Sequence, residues 1–154
     1  MWRRYLILTV LTIGVYSTLF YGNNIIIGNN SQKAKVVKVI DGDTIEIEGG
    51  NQVRYIGIDT PEIGSYYADE ATNRNRQLVE GKSITIERDI LHRDKYQRIL
   101  GYVYVGDIMV NEDLLINGYA NILIIEPDVK YRDKLSKAFD LAKINKIGLW
   151  KTKQ

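Results

Sequence analysis

The sequence predicts an α+β fold, a small barrel of five short strands with three helices, and three observations lead to it. Apolar and polar residues alternate with a period of two over most of the stretch from Lys33 to Val105. Turn-forming residues, among them Asp41-Gly42 and Gly49-Gly50-Asn51, divide that stretch into short runs. Apolar residues at helical spacing occur once within the stretch and twice after it. At 154 residues, the chain is long enough for one such domain and short for two.

The strands are predicted from the apolar runs that lie between turns. They are Lys35–Ile40, Thr44–Glu48, Gln52–Ile58, Ser83–Arg88 and Ile99–Val105. Five short strands with a helix after the third favour a Greek-key barrel of the OB type.

The predicted helices are Tyr67–Glu80, Glu112–Asn117 and Val129–Asn145. Gly81 and Gly118 follow the first two, where a glycine often ends a helix. Asn111 and Asp128 precede the second and third, so we expect their side chains to cap the helix N-termini. Trp150 is expected to pack on the last helix.

The N-terminus predicts a hydrophobic helix that acts in export. Met1-Trp2-Arg3-Arg4 is positive, and Tyr5 to Phe20 runs without a charge, which is the pattern of a signal peptide. Extension to Ile27 gives about 23 residues, enough to cross a bilayer as an anchor. A buried core helix is the alternative, but nothing in this stretch is amphipathic. We therefore expect an exported protein, secreted or membrane-anchored, with its domain outside the cytoplasm.

The domain organisation follows from this interpretation. Residues 1–27 are the signal peptide or membrane anchor, residues 28–33 are a polar linker, and residues 34–150 are the barrel domain. We expect the domain to be a monomer.

Composition excludes some kinds of site. The chain has no cysteine, so it has neither disulfides nor thiolate chemistry. Without Arg3 and Arg4, 19 basic residues balance 19 acidic ones. A broad basic surface of the kind that binds nucleic acid tightly is therefore absent, and an anionic ligand must be held locally.

Acidic residues lie where the first three predicted strands begin or end. Asp43 opens the second strand, and Asp59 and Glu62 follow the third, so neighbouring strands would gather them at one end of a sheet. Crowded carboxylates are tolerated chiefly when a cation or a proton lies among them. Asp43, Asp59 and the carbonyl of Thr60 are hard oxygen ligands that favour Ca²⁺ or Mg²⁺. Asp41 is expected to cap its own turn, and simple turn acids remain the alternative for the others.

Basic residues accompany these acids. Arg54 lies within the third strand, on the face opposite its apolar neighbours, and a guanidinium beside a carboxylate cluster suits a phosphodiester. Arg98, Lys95 and Tyr96 form a second cluster, in which the Lys-Tyr pair can hold a terminal phosphate and stack on a base. A solvated arginine and a charged hairpin loop are the alternatives. His92, the one histidine, is expected to be a solvated loop residue.

Together these motifs resemble the staphylococcal (micrococcal) nuclease, or thermonuclease, family. The resemblance rests on Asp41-Gly42-Asp43-Thr44, Arg54, Asp59-Thr60-Pro61-Glu62, Asp94-Lys95-Tyr96-Gln97-Arg98, Val110-Asn111 and Gly118-Tyr119-Ala120 in this order. It covers about Ala34 to Trp150. It implies an OB-fold barrel and Ca²⁺-dependent cleavage of single-stranded DNA or RNA that leaves 3′-phosphate products.

The resemblance also implies roles for individual residues. Asp43 and Asp59 would be the side-chain Ca²⁺ ligands, and Thr60 would contribute its carbonyl. Glu62 would orient or deprotonate the attacking water.

Arg54 and Arg98 would neutralise charge on the transition state of the same reaction. In-line hydrolysis of a diester needs an aimed water and positive charge on the equatorial oxygens, and these residues match that need.

The chain departs from the family pattern in three places. The loop after Glu62 is shortened to Ile63–Tyr67, Ile122–Glu126 stands where a well-known member has base-packing tyrosines, and Gln97 replaces a glycine. The alternative function is a non-catalytic OB module that binds nucleic acid or protein. Loss of Arg54, Glu62 or a ligand acid would favour that alternative, and all are present.

Overall fold

The computed structural model describes residues 30–151 of the chain. The predicted N-terminal hydrophobic helix lies outside the described residues. Between residues 30 and 151, no helix is long and apolar enough to cross a membrane.

The strands form a closed barrel, as predicted. They are β1 (Ser31–Val39), β2 (Thr44–Ile47), β3 (Gln52–Tyr55), β4 (Gly57–Asp59), β5 (Ser83–Glu87), β6 (Ile99–Val105), β7 (Ile108–Met109) and β8 (Asn121–Leu123). Five of them pair in the order β3-β2-β1-β5-β6, and a parallel pairing of β3 with β6 closes the ring. β7 continues the sheet beside β6, and β4 pairs separately with β8.

Within residues 30–151, three helices accompany the barrel: α1 (Ala68–Val79), α2 (Val110–Ile116) and α3 (Arg132–Ile144). A short 3₁₀ turn, Gly148–Trp150, follows α3. The ring of Trp150 packs edge-on against Phe139 of α3, with 5.2 Å between centroids, which confirms the predicted contact.

Successive side chains of a strand point to opposite faces of the sheet, so every second side chain lies inside the barrel. On β2 and β3 the buried set is Ile45, Ile47, Val53 and Tyr55. Arg54 lies between two of these residues in sequence, so its side chain leaves the barrel on the other face.

The predicted third strand, Gln52–Ile58, is wrong in its continuity. Gly57 has φ +82°, a backbone conformation that other residues rarely adopt, and the chain turns there. β3 therefore ends at Tyr55, and β4 leaves the barrel to pair with β8, with Asp59 opposite Asn121.

Both predicted helix caps are wrong, because each side chain has a tertiary partner. Asn111 lies inside α2, where it accepts a hydrogen bond from the Val103 N–H (2.9 Å) and donates one to the Ile56 carbonyl (2.8 Å). Asp128 lies four residues before α3 and accepts hydrogen bonds from the backbone N–H groups of Ile90 and Leu91.

The start of the barrel also differs from the prediction. β1 begins at Ser31, and residues 31–35 pair with β5 from Glu87 back to Ser83. Residues 31–33 of the predicted linker are therefore part of the sheet.

Gly118, which follows α2, packs against Ile147 and Gly148 at the start of the 3₁₀ turn. We expect Gly118→Ala to destabilise the fold by about 3 kcal/mol. Its φ is +70°, which costs other residues about 1–2 kcal/mol. An added Cβ would also lie 2.2 Å from the Ile147 carbonyl oxygen, so the backbone must shift. Urea unfolding gives the change in the free energy of unfolding.

Gly50→Ala is the matched control for this change. Gly50 has a similar φ of +77°, but a Cβ there would meet no heavy atom within 4 Å, so only about 1 kcal/mol should be lost. Equal losses for the two variants would show that the contact between Gly118 and Ile147 does not matter.

Candidate active site

A polar cleft of about 230 Å³ lies where β2 begins and β4 ends. It is lined by Asp41, Asp43, Arg54, Asp59, Thr60, Pro61, Glu62, Ile63 and Arg98. Every residue that the sequence suggested as a metal ligand or catalytic group therefore contributes to one cleft. The strand register explains part of this convergence, because Thr44 pairs with Arg54 and so sets Asp43 beside it.

Arg54 lies at the centre of the cleft between two carboxylates. Its Nε is 3.2 Å from an oxygen of Asp43, and its Nη2 donates to Asp59 at 3.0 Å. Its Nη1 donates to the carbonyls of Tyr55 (2.8 Å) and Ile58 (2.9 Å). The guanidinium is thus held in one orientation and offsets the repulsion between the two acids.

Asp43 is buried, with 5% of its surface exposed. One oxygen accepts hydrogen bonds from the N–H (2.8 Å) and the hydroxyl (3.0 Å) of Thr60, and the other accepts one from the Thr44 hydroxyl. Burial raises the pKa of Asp43 to about 6, although Arg54 and the Thr60 N–H oppose the rise. Positive charge near this carboxylate would favour its ionised form.

The turn before Asp43 is stabilised by a hydrogen bond within the turn and by packing against Thr60. The Asp41 side chain accepts a hydrogen bond from the Asp43 N–H at 3.0 Å, which confirms that it caps its own turn. Gly42 lies against Thr60, because a Cβ at this glycine would be 2.6 Å from the Thr60 hydroxyl oxygen. The turn and the Thr60 segment therefore pack in direct contact.

Asn75 is a positioning residue that the sequence analysis missed. It is fully buried in α1, donates to the Asp41 carbonyl (3.0 Å) and accepts from the hydroxyl of Tyr55 (2.9 Å). The signal was available in the sequence, because Ala71, Asn75 and Val79 follow one another at intervals of four. A polar residue on the buried stripe of a helix needs a partner in the core.

Arg98 also lines the polar cleft and is oriented by Asp94. Its Nε donates to Asp94 at 2.7 Å, and its backbone N–H donates to the same carboxylate at 2.9 Å. Burial disfavours ionised Asp94, but the hydrogen bonds from Arg98 and from the Tyr96 N–H outweigh it and lower the pKa of Asp94. In the same loop Gln97 has φ +67°, a backbone conformation that glycine adopts more readily. Glycine is the residue that the family pattern has at this position.

A second pocket, of about 400 Å³, adjoins the cleft and shares Arg54 and Arg98 with it. Both Lys95 and Tyr96 line this pocket, and the Lys95 ammonium lies 5.0 Å from the centre of the Tyr96 ring. Its remaining wall is largely aliphatic, from Leu91, Leu100, Leu123 and Ile125 together with Ile56 and Ile58. We call it the aliphatic pocket.

Glu62 and His92 are both exposed. Glu62 lies on the rim of the polar cleft, and its carbonyl accepts hydrogen bonds from the N–H (2.9 Å) and hydroxyl (2.6 Å) of Ser65. His92 lies in the loop before β6, where its carbonyl accepts from the Leu100 N–H at 3.1 Å.

The described residues, 30–151, contain no ready-made group of three or more acidic, histidine or cysteine side chains for a metal. The donors in the cleft are nevertheless carboxylates and carbonyls, the ligands that a hard divalent cation prefers. The metal assignment therefore stays a prediction.

Comparison with known proteins supports the same interpretation as the geometry. Residues 52–152 match the family model described as staphylococcal nuclease homologue. In an alignment of 124 positions, the SPbeta prophage-derived endonuclease YokF of Bacillus subtilis (strain 168) is 40% identical, and the alignment covers 73% of this chain and 42% of YokF. Endonuclease YncB of the same organism is 39% identical in an alignment of 124 positions that covers 73% of this chain and 59% of YncB.

A thermonuclease of Staphylococcus hyicus is 35% identical in an alignment of 130 positions that covers 79% of this chain and 77% of that enzyme. The chain spans less than two thirds of the length of YokF and YncB, and more of the thermonuclease. The family model covers most of the described residues, including the barrel strand that carries Arg54. The chain therefore belongs to the staphylococcal nuclease family and carries its nuclease domain.

Proposed function

We propose that the protein hydrolyses phosphodiester bonds of single-stranded DNA and RNA with Ca²⁺, and leaves 3′-phosphate products. One observation carries the proposal: a guanidinium, Arg54, is fixed between two carboxylates in a polar cleft that a second guanidinium, Arg98, also lines. Two guanidinium groups around one small cleft suit a phosphodiester, which each can hold through its oxygens.

The donors in the cleft suit Ca²⁺ as the resident ion. Asp43 and Asp59 would hold it with their carboxylates, and Thr60 with its carbonyl. The raised pKa of Asp43 supports this assignment, since a buried carboxylate gains most from a nearby cation. When bound, the ion supplies Lewis-acid polarisation of a phosphoryl oxygen.

The side chains of the cleft have separate roles in the proposed hydrolysis. Arg54 and Arg98 donate hydrogen bonds to the non-bridging oxygens, where negative charge grows in the transition state. Glu62, exposed on the rim, orients the attacking water or accepts its proton. Asp94 keeps the Arg98 side chain directed by its 2.7 Å hydrogen bond.

The aliphatic pocket supports a single strand as the substrate. Its walls suit the face of an unpaired base, and Lys95 and Tyr96 at its edge can hold a neighbouring phosphate and base. Without Arg3 and Arg4 the charges of the chain balance, which agrees with recognition of a few nucleotides in place of a long basic footprint.

The location and the oligomeric state of the enzyme are also part of the proposal. We infer that residues 1–27 export the protein and that the domain works as a monomer outside the cytoplasm, secreted or anchored in the membrane. The support is the uncharged run after Arg3 and Arg4.

The test is a cleavage assay with the full chain in mild detergent. We expect degradation of single-stranded DNA with Ca²⁺, and a fall to below a tenth of that rate when excess EGTA removes the ion. End-group analysis should find 3′-phosphates. Full activity in EGTA would refute the metal, and no cleavage under any divalent ion would indicate a binding module.

A further inference from the structure

The turn that follows Glu62 exposes two large apolar side chains beside the polar cleft. Ile63 is 75% exposed and lines the cleft, and Tyr66 is 57% exposed. Neither residue lines the aliphatic pocket, whose walls come from other parts of the chain. This turn therefore lies on the Glu62 side of the cleft, away from the pocket.

Hydrogen bonds make the turn rigid and tie it to Glu62. Both the N–H and the hydroxyl of Ser65 donate to the Glu62 carbonyl, and the Ala68 N–H donates to Ser65. Tyr66 is four residues from Glu62, which limits their Cα separation to about 14 Å even for an extended chain. Tyr66 thus lies within reach of a nucleotide that is bound at the rim of the cleft near Glu62.

Tyr66 contacts a pair of stacked rings, Tyr67 and Tyr119, through Tyr67, whose ring is tilted 44° from its own. Its ring centroid is 5.7 Å from that of Tyr67, and Tyr67 stacks on Tyr119 at 5.7 Å and 27°. Tyr67 has φ +69°, an unusual conformation that sets the chain at the start of α1. The contact with Tyr67 therefore supports the exposed Tyr66 ring at the protein surface.

Charge next to this surface favours a base over a phosphate. Asp69 and Glu70, in the first turn of α1, are exposed and repel a phosphate group. An aromatic face next to acidic residues can still stack on a nucleobase, because stacking does not need positive charge.

We propose that Tyr66 and Ile63 form a second base-binding subsite, which takes an unpaired nucleobase on the Glu62 side of the cleft. The subsite rests on the proposed function, because it places a nucleotide on the other side of the scissile phosphate from the aliphatic pocket. It gives the enzyme a preference for single strands, since paired bases cannot lie flat on the Tyr66 ring.

Two substrates and two assays test the subsite. Fluorescence anisotropy with the full chain and Ca²⁺ measures the Kd of a short single-stranded oligonucleotide with phosphorothioate linkages, which resist cleavage. Hydrolysis of a methyl diester of thymidine phosphate, followed by chromatography, measures the chemistry alone, because this substrate has neither a second base nor another aromatic ring.

We expect Tyr66→Ala to raise the Kd of the single strand about tenfold, in the range for loss of one base–aromatic stack. Tyr66→Phe keeps the ring and should change the Kd less than twofold. Ile144→Ala removes another exposed apolar side chain, 74% exposed at the end of α3, and should leave the Kd unchanged. Hydrolysis of the methyl diester should be equal in all three variants.

An unchanged Kd for Tyr66→Ala would overturn the subsite. A loss of the same size in hydrolysis of the methyl diester would also overturn it, because such a loss would indicate a structural role. So would the same rise in the Kd of a duplex with phosphorothioate linkages, because it would indicate a phosphate contact. If the unaltered protein does not hydrolyse the methyl diester while the Kd difference persists, the proposed hydrolysis fails and the subsite stands.

Discussion

Arg54→Lys is expected to lower kcat on single-stranded DNA by about 10² to 10³, the loss typical of one fixed donor to a developing oxyanion. The guanidinium spans Asp43 and Asp59 while it also holds two backbone carbonyls. Lysine keeps one positive charge but has no planar fork, so it cannot serve all these acceptors and a phosphate together. Steady-state kinetics with Ca²⁺ give the change in kcat.

Arg74→Lys is the matched control for this loss. Arg74 makes an equally direct ion pair, with Nε and Nη2 at 2.8 and 2.7 Å from the two oxygens of Asp113. That pair joins α1 to α2 and lines neither the polar cleft nor the aliphatic pocket. We expect its replacement to change stability slightly and kcat less than twofold.

Folding must be checked alongside these rates, because Arg54 also compensates a buried acid. Circular dichroism and the melting temperature should show that Arg54→Lys remains folded at the assay temperature. Near-normal turnover in a folded Arg54→Lys protein would remove this residue from the chemistry.

Asn111→Ala is expected to lower the free energy of unfolding by about 4 kcal/mol. Asn111 is fully buried, and its side chain satisfies the Val103 N–H of β6 and the Ile56 carbonyl between β3 and β4. Alanine leaves both backbone groups buried without a partner, at about 1–3 kcal/mol each. Urea denaturation gives the difference, which is a large part of the stability of a domain of this size.

Asn121→Ala controls for the loss of an asparagine as such. Asn121 is exposed in β8, so its replacement should change stability by less than about 0.5 kcal/mol. Asn111→Asp keeps an acceptor for the Val103 N–H but cannot donate to Ile56, and it should remain well below the unaltered protein. Equal stability of the Asn111→Ala and Asn121→Ala variants would show that the buried amide does not connect the strands.

The elements with a clear period were predictable. The alternation around Ile45, Ile47, Val53 and Tyr55 predicted strands whose buried faces meet inside a barrel. The same alternation placed Arg54 on the outer face. These predictions depend on which side of a strand a residue faces, and residue order decides that directly.

Both predicted caps failed for a common reason. Asn111 and Asp128 have the side chains that cap helices, and each stands shortly before a helical pattern. Each instead hydrogen-bonds to backbone groups of a segment well removed in the chain, 55 residues away for Ile56 and 37 for Leu91. Local rules cannot separate a cap from such a tertiary anchor, since the side-chain chemistry is the same.

The sequence by itself determined the barrel class, the family motifs and the identity of the acids and arginines that line the cleft. Only the tertiary structure decided how these groups are arranged: Arg54 between Asp43 and Asp59, Asn75 hydrogen-bonded to the Asp41 turn, and Tyr66 against the ring of Tyr67. The physical reason is that periodicity depends on neighbours in the chain. The partners of a guanidinium, a buried amide or an exposed ring depend instead on which distant segments the closed barrel brings together.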